Sequence, residues 1–177
     1  HGRVATDGVM PLSRSLDVIG WFTRDAELFG AVGAVLLRDF AAAPPTGRFL
    51  VAEDLMALLD ERTRDALTGA IDQVAGLLGT PEPLRVVDDA PVAGLDAWAL
   101  TARTIWGREA WAEHGEWMTS ERPKLGSGVA ARFAARARVT AEEATEALVR
   151  RDRISAYLDD LLADGGVIAL PAAPGTA

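Results

Sequence analysis

The sequence predicts an α/β fold, in which short buried strands alternate with long helices. Short apolar runs are bounded by Gly, Pro and polar turn residues, as is typical of buried strands. Longer segments between them carry apolar residues at helical spacing and begin or end at capping residues. The chain has 177 residues, of which 49% are hydrophobic and 25% charged, so one soluble globular domain with a sizeable core is expected.

Four runs are predicted to be strands, and they lie at residues 18–22, 49–52, 85–87 and 167–170. The first and last are apolar almost throughout. Strands of that kind are usually covered on both faces and paired on both edges. The sequence therefore predicts that strands left open in this chain bind other copies of it, which makes homo-oligomers an expected form.

Five helices are predicted, at residues 24–38, 62–78, 95–118, 129–137 and from Thr140 to about residue 163. Thr23 is the expected cap of the first, and Gly79 is the expected stop of the second. Thr140 and Glu143 have the spacing of a capping box. A Pro-rich break at residues 43–47 separates the first helix from the second strand.

The third predicted helix contains four of the five tryptophans. Its apolar residues recur at helical spacing, namely Leu95, Trp98, Ala102, Ile105 and Trp106. A stripe of this kind normally faces the core, so Trp98 and Trp106 are expected to be mainly buried.

Composition excludes several classes of function. The formal net charge of −8 is spread along the chain, which argues against nucleic acid as a partner. No apolar run approaches the ~18 residues of a membrane span, so no membrane partner is expected. There is no cysteine, and the two histidines, His1 and His114, lie far apart, so neither a cofactor nor a metal site is expected. No signal peptide is visible, which makes a cytoplasmic location the default.

Lys124 and Ser127 are one candidate pair for catalysis, because a lysine can act as the base for a serine nucleophile. Their order is the reverse of the known Ser-x-x-Lys motif. The flanking Pro123 and Gly126 indicate an exposed loop, where a lysine keeps its ordinary basicity. The favoured interpretation is a surface loop in which Ser127 caps the next helix.

Glu109 and Glu113 are a second candidate pair, one helical turn apart and on approximately the same face as Trp106 and Trp117. Paired carboxylates in an aromatic groove can act as acid and base. The same pattern arises where a helix keeps its carboxylates hydrated beside a buried tryptophan stripe, and that interpretation is favoured. His114 is expected to face solvent.

Three segments carry a resemblance to a known family. GVMPLSRSLDVIGWFTRD at residues 8–25 closely resembles a segment of amidase-signature enzymes, in which a GVMPL-type loop leads to Ser-Leu-Asp, an apolar strand and a helix start. Residues 1–4, HGRV, are similar to the residues that precede this segment in the family. Two later segments also resemble the family. The stretch from RPKLG at residues 122–126 through Arg132 and Phe133 is similar to the region before the family's late helices. GVIALPAAPG at residues 166–175 is similar to its late strand and the Pro-rich loop that follows. The tryptophan-rich helix resembles the indole-acetamide hydrolase type.

The resemblance implies that residues 1–177 are a partial domain, truncated at both ends, of the amidase-signature mixed sheet flanked by helices. It implies hydrolysis of a carboxamide C–N bond through a seryl acyl-enzyme, with a small-molecule amide as substrate and no cofactor. The family's catalytic lysine and two serines would lie upstream, so this chain would supply scaffold and part of the substrate cleft without any catalytic residue. The alternatives are a non-catalytic binding or scaffold protein derived from the fold, and a fragment with no function of its own.

Within the resembling loop, Met10 and Pro11 are the candidates for contact with substrate. The alternative is that Met10 packs the loop onto the sheet together with Val9 and Leu12. Asp17 is expected to anchor the turn that leads into the strand. Three arginines are expected to form ion pairs within the fold, namely Arg3, Arg14 and Arg132.

Overall fold

The computed structural model describes residues 2–37 and 47–175. Arg38 and most of the predicted break at residues 43–47 lie outside this part of the chain, as does His1. Within the described residues the chain forms six helices and three strands, in the order α1 (Ala26–Leu36), β1 (Phe49–Ala52), α2 (Glu53–Met56), α3 (Glu61–Leu78), β2 (Glu82–Leu84), α4 (Leu95–Ser120), α5 (Ser127–Arg136), α6 (Ala141–Leu161) and β3 (Val167–Ala169).

The three strands form one parallel sheet in the order β2-β1-β3. Leu50 is opposite Glu82 on one side and Ile168 on the other. The central strand is the most buried, with Phe49 3% and Leu50 2% exposed, as expected for a parallel strand between two neighbours. The predicted α/β architecture is confirmed, and the strands at residues 49–52 and 167–170 are found within one residue of their predicted ends.

The described residues divide into two compact units. The first comprises residues 2–37 and 102–148, and the second comprises residues 47–101 and 149–175. Ile105 and Ala110 of α4 are buried in the first unit, together with Ala144 of α6. The sheet belongs to the second unit, whose core is formed by buried residues and the apolar side chains packed on them, namely Ala52, Val86, Val87, Leu55, Leu84, Trp98, Tyr157, Leu158, Leu161 and Ile168.

The strand predicted at residues 18–22 is absent. These residues are irregular, and Phe22 is fully exposed. A strand needs a neighbour for its amides and carbonyls, and an apolar run does not supply one. Trp21 instead packs on Phe29 of α1, with ring centroids 5.3 Å apart.

The strand predicted at residues 85–87 was also wrong, because the pairing segment is Glu82–Leu84, three residues earlier. Val86 and Val87 are nevertheless buried, at 2% and 4% exposure. Asp54 allows this by accepting hydrogen bonds from the amides of Val87 (2.7 Å) and Asp88 (3.0 Å). Burial acts to raise the pKa of Asp54, but these amide hydrogen bonds outweigh it and hold the pKa below its ordinary value.

Most helix ends follow the predicted signals. The capping box is confirmed, since the Glu143 amide donates to Thr140 Oγ1 (3.1 Å) and the Thr140 amide donates to Glu143 Oε2 (2.8 Å). Gly79 ends α3 at a φ of 96°, which favours glycine. Thr23 was the wrong cap for α1, because Asp25 accepts the amide of Leu28 at 2.8 Å and so begins the helix two residues later.

The bounds of helix α4 were predicted closely, but the burial of its apolar residues was not. Trp98 and Trp106 are half-buried rather than mainly buried, and Leu95 and Ala102 are exposed. The helix belongs to the second unit through Thr101 and to the first unit from there on. Different elements therefore cover its two parts, and one continuous buried stripe does not form. No helix among the described residues has both the length and the apolar character needed to cross a bilayer.

Candidate functional site

Met10 and Pro11 lie on a cleft of about 550 Å³ in the first unit. All of its lining residues come from the N-terminal segment, and they include Arg3, Val4, Val9, Leu12, Ile19 and Trp21. Met10 is 82% exposed, so its side chain is available to a ligand and does not pack the loop. The exposure of Met10 argues against the interpretation in which its side chain packs this loop onto the sheet.

The loop behind Met10 and Pro11 is held by its own carboxylate. Asp17 Oδ2 accepts the amides of Leu12 (2.8 Å) and Ser13 (3.0 Å). The carbonyl oxygen of Ser13 accepts the amides of Leu16 and Asp17 in return. The predicted role of Asp17 as the anchor of this turn is confirmed.

Two carboxylates of α4 hold the same loop from outside. Glu109 Oε2 accepts the Ser13 hydroxyl at 2.6 Å and the Ser15 amide at 3.0 Å. One turn later, Glu113 binds the Arg14 guanidinium through both of its oxygens. Both hydrogen bonds to Glu109 are charge-assisted, which makes them stronger than bonds between neutral groups. Glu109 and Glu113 thus bind the loop. Neither interpretation from the sequence, the acid–base pair or the hydrated carboxylates, included this role.

The pKa of the Glu113 carboxyl lies below its ordinary value, because the hydrogen bond and charge of Arg14 stabilise the ionised form. The same contact raises the pKa of Arg14. Arg14 is therefore the ion-pair anchor that was predicted. Arg3 lines the cleft.

His114 is half-buried, and the prediction that it faces solvent was wrong. Its Nε2 atom lies 2.8 Å from the carbonyl oxygen of Pro11, and since a carbonyl only accepts, the ring nitrogen is the donor. The ring meets Phe133 of α5 edge-on, with centroids 6.2 Å apart. The spacing of Glu109 and Glu113 indicated a shared helix face, but nothing local showed that this face and His114 contact the loop.

Arg136 was not singled out from the sequence. Its guanidinium lies 4.2 Å from the ring centroid of Trp106 and 4.9 Å from that of Phe133, distances typical of cation–π contacts. Burial, and then the charge of Arg132, lower the pKa of Arg136. The contact joins α5 to α4 and covers part of Trp106.

Lys124 and Ser127 are both exposed, as predicted for a surface loop. Ser127 does not cap α5, however, because Gly126 is the N-cap and makes no side-chain hydrogen bond. In the described part of the chain, no group of three His, Asp or Glu side chains is arranged to hold a metal ion.

Comparison with known proteins shows what the chain is similar to. No family model matches the chain. Amidase 1 of Arabidopsis thaliana is 24% identical over 99% of this chain and 47% of its own length. The chloroplastic Outer envelope protein 64 of the same plant is 24% identical over 98% of this chain and 33% of its own length.

A crystal structure of an amidase superposes on 98% of the chain with a TM-score of 0.82 and 20% identity, and 39% of that structure is covered. The same fold is therefore present. The chain spans less than half the length of these proteins. The sequence likeness to Amidase 1 and the fold shared with a solved amidase agree with the resemblance to amidase-signature enzymes that the GVMPL-type loop carries.

Proposed function

We propose that the chain is part of a hydrolase that cleaves a carboxamide C–N bond through a seryl acyl-enzyme. The family resemblance implies that the lysine and two serines of the reaction stand upstream of the GVMPL-type loop. Backbone amides would stabilise the oxyanion of the tetrahedral intermediate. On this proposal the present chain contributes scaffold and part of the substrate cleft, and none of the three catalytic groups.

The observation that carries the proposal is the cleft beside Met10 and Pro11. Its volume of about 550 Å³ is that of a small-molecule pocket, and its lining combines apolar side chains with a few charged ones. Met10 offers an exposed and flexible apolar surface, whereas Pro11 is held by His114. We assign the apolar part of an amide substrate to Met10 and Pro11.

We expect the chain to bind indole-3-acetamide, and Met10→Ala to bind it about tenfold more weakly, because the methionine loses most of its apolar contact. Isothermal titration calorimetry measures both affinities. Leu77→Ala is the matched control, since Leu77 is an apolar side chain of similar exposure (85%) on α3. Equal affinity of wild type and Met10→Ala would remove Met10 from the site.

We expect no hydrolysis of simple aryl or aliphatic amides by the 177-residue chain alone, because the proposal assigns the nucleophile and base to another part of the enzyme. Ammonia release measured against buffer tests this. Hydrolysis that disappears in Ser127→Ala would contradict the expectation and return Lys124 and Ser127 to the status of catalytic candidates.

A second candidate function is that of a non-catalytic binding or scaffold protein derived from the same fold. It is favoured by the likeness to a relative whose name, Outer envelope protein 64, gives a location and no enzymatic activity. The reading frame upstream of this chain separates the two candidates. A Gly-Ser-rich segment in frame there supports the amidase, whereas an independent start with a stable product supports the scaffold.

A cytoplasmic location is proposed with the amidase, and a fluorescent fusion tests it.

A further inference from the structure

Helix α4 binds four residues of the loop behind the candidate cleft. His114 donates to the carbonyl oxygen of Pro11, Glu109 accepts from Ser13 and Ser15, and Glu113 binds Arg14. We call the three α4 side chains, Glu109, Glu113 and His114, the α4 clamp. Glu109 and Glu113 lie one helical turn apart on one face of the helix, and His114 follows Glu113 directly in the chain.

The burial of the contacts indicates where the clamp is strongest. Ser13 is fully buried, and its hydroxyl makes the 2.6 Å bond to Glu109. Arg14, by contrast, has a side chain that is 71% exposed, so its ion pair with Glu113 is weakened by water. Glu109 is therefore the central member of the clamp, and the Ser13 hydroxyl is its main contact.

Ser15 provides an internal comparison. Its hydroxyl oxygen is buried and has no hydrogen-bond partner, although its amide donates to Glu109. A buried hydroxyl without a partner opposes the conformation that contains it. The Ser15 hydroxyl therefore adds no hydrogen bond to the loop, whereas the bonds to Glu109 and Asp17 stabilise it.

We infer that Glu109 and His114 are positioning residues, which set the loop so that Met10 and Pro11 face the substrate. This inference rests on the proposed function of the cleft. Neither side chain is among the residues that line the cleft, so they act through the loop and do not touch the ligand themselves. His114 sets Pro11 directly, and Glu109 fixes the two serines that follow.

The test compares four forms of the 177-residue chain by hydrogen–deuterium exchange and mass spectrometry over residues 11–17. Glu109→Gln keeps the shape of the side chain but removes the charge that shortens its bonds, and Ser13→Ala removes one of those bonds. We expect the loop amides to exchange about tenfold faster in both variants, as is usual on loss of a charge-assisted hydrogen bond. Ser15→Ala is the matched control, because the hydroxyl it removes has no partner, and it should exchange like the wild type.

Affinity for indole-3-acetamide is the second readout. If the clamp positions the loop, affinity falls in Glu109→Gln and Ser13→Ala but not in Ser15→Ala. Unchanged exchange in Glu109→Gln contradicts the inference, and so does faster exchange with full affinity, since the clamp would then serve stability alone. A third outcome is that the wild-type chain does not bind the amide while Glu109→Gln still makes the loop amides exchange faster. That result counts against the proposed function, but it still shows that Glu109 holds the loop.

Discussion

Trp98→Ala is expected to lower the free energy of unfolding by about 2 kcal/mol, less than the cost of deleting a fully buried aromatic side chain, because Trp98 is half-buried. Trp98 packs against the cluster that contains Val86 and Val87, which are 2% and 4% exposed. Its indole nitrogen also donates to the carbonyl oxygen of Val92 at 2.7 Å. The substitution removes both the packing and the partner of that carbonyl. Urea denaturation followed by far-UV circular dichroism measures the loss.

Trp117→Ala is the control for this experiment, because Trp117 lies on the same helix and is 48% exposed. It should change the free energy of unfolding by less than about 1 kcal/mol, as is common for surface substitutions. A similarly small loss for Trp98→Ala would contradict the assignment of Trp98 to the core. The tryptophan face of α4 would then be a binding surface.

The helices were predictable because their signals are local. Thr140 and Glu143 lie three residues apart, and Gly79 acts on its own backbone, so neither needs the rest of the fold. The missed cap of α1 was a local error as well, since Asp25 lies two residues after Thr23. Such errors move an end by a residue or two and leave the element in place.

The strands were less predictable because pairing is not local. Val86 and Val87 have the composition of a strand, yet their burial depends on Asp54, more than thirty residues away in sequence. The apolar residues at 18–22 likewise predicted a strand that has no neighbour among the described residues. Composition indicated which segments lie inside, but it did not indicate which backbone groups they bind.

In the candidate site, too, local features were predictable and contacts between distant residues were not. Met10 and Pro11 were proposed as substrate contacts through the family resemblance of their loop. The α4 clamp was missed because Ser13 and Glu109 are 96 positions apart, and a glutamate at a helix edge has the same pattern whether it faces water or a loop. Helical spacing placed Glu109 and Glu113 on one face, but only the folded structure supplied their partner and that of His114.

We expect the chain to associate with copies of itself, because one edge of β3 is open. Within the described residues, β3 pairs with β1 alone, so its other edge offers unpaired amides and carbonyls to a strand from another molecule. Large apolar side chains are exposed elsewhere, with Phe22 at 102% and Leu170, which follows β3, at 54%. We therefore propose that the isolated chain forms homo-oligomers or aggregates and melts with weak cooperativity.

Size-exclusion chromatography with light scattering and differential scanning calorimetry measure this behaviour. Leu170→Lys should shift the chain toward monomer, because a lysine beside an open strand edge disfavours pairing with another copy. Leu77→Lys is the matched control, since Leu77 is 85% exposed but lies on α3, and it should leave the oligomers unchanged. A wild-type chain that elutes as a monomer with one sharp, reversible transition would overturn the proposal. It would also favour an independent binding module over a segment that depends on further protein to cover β3.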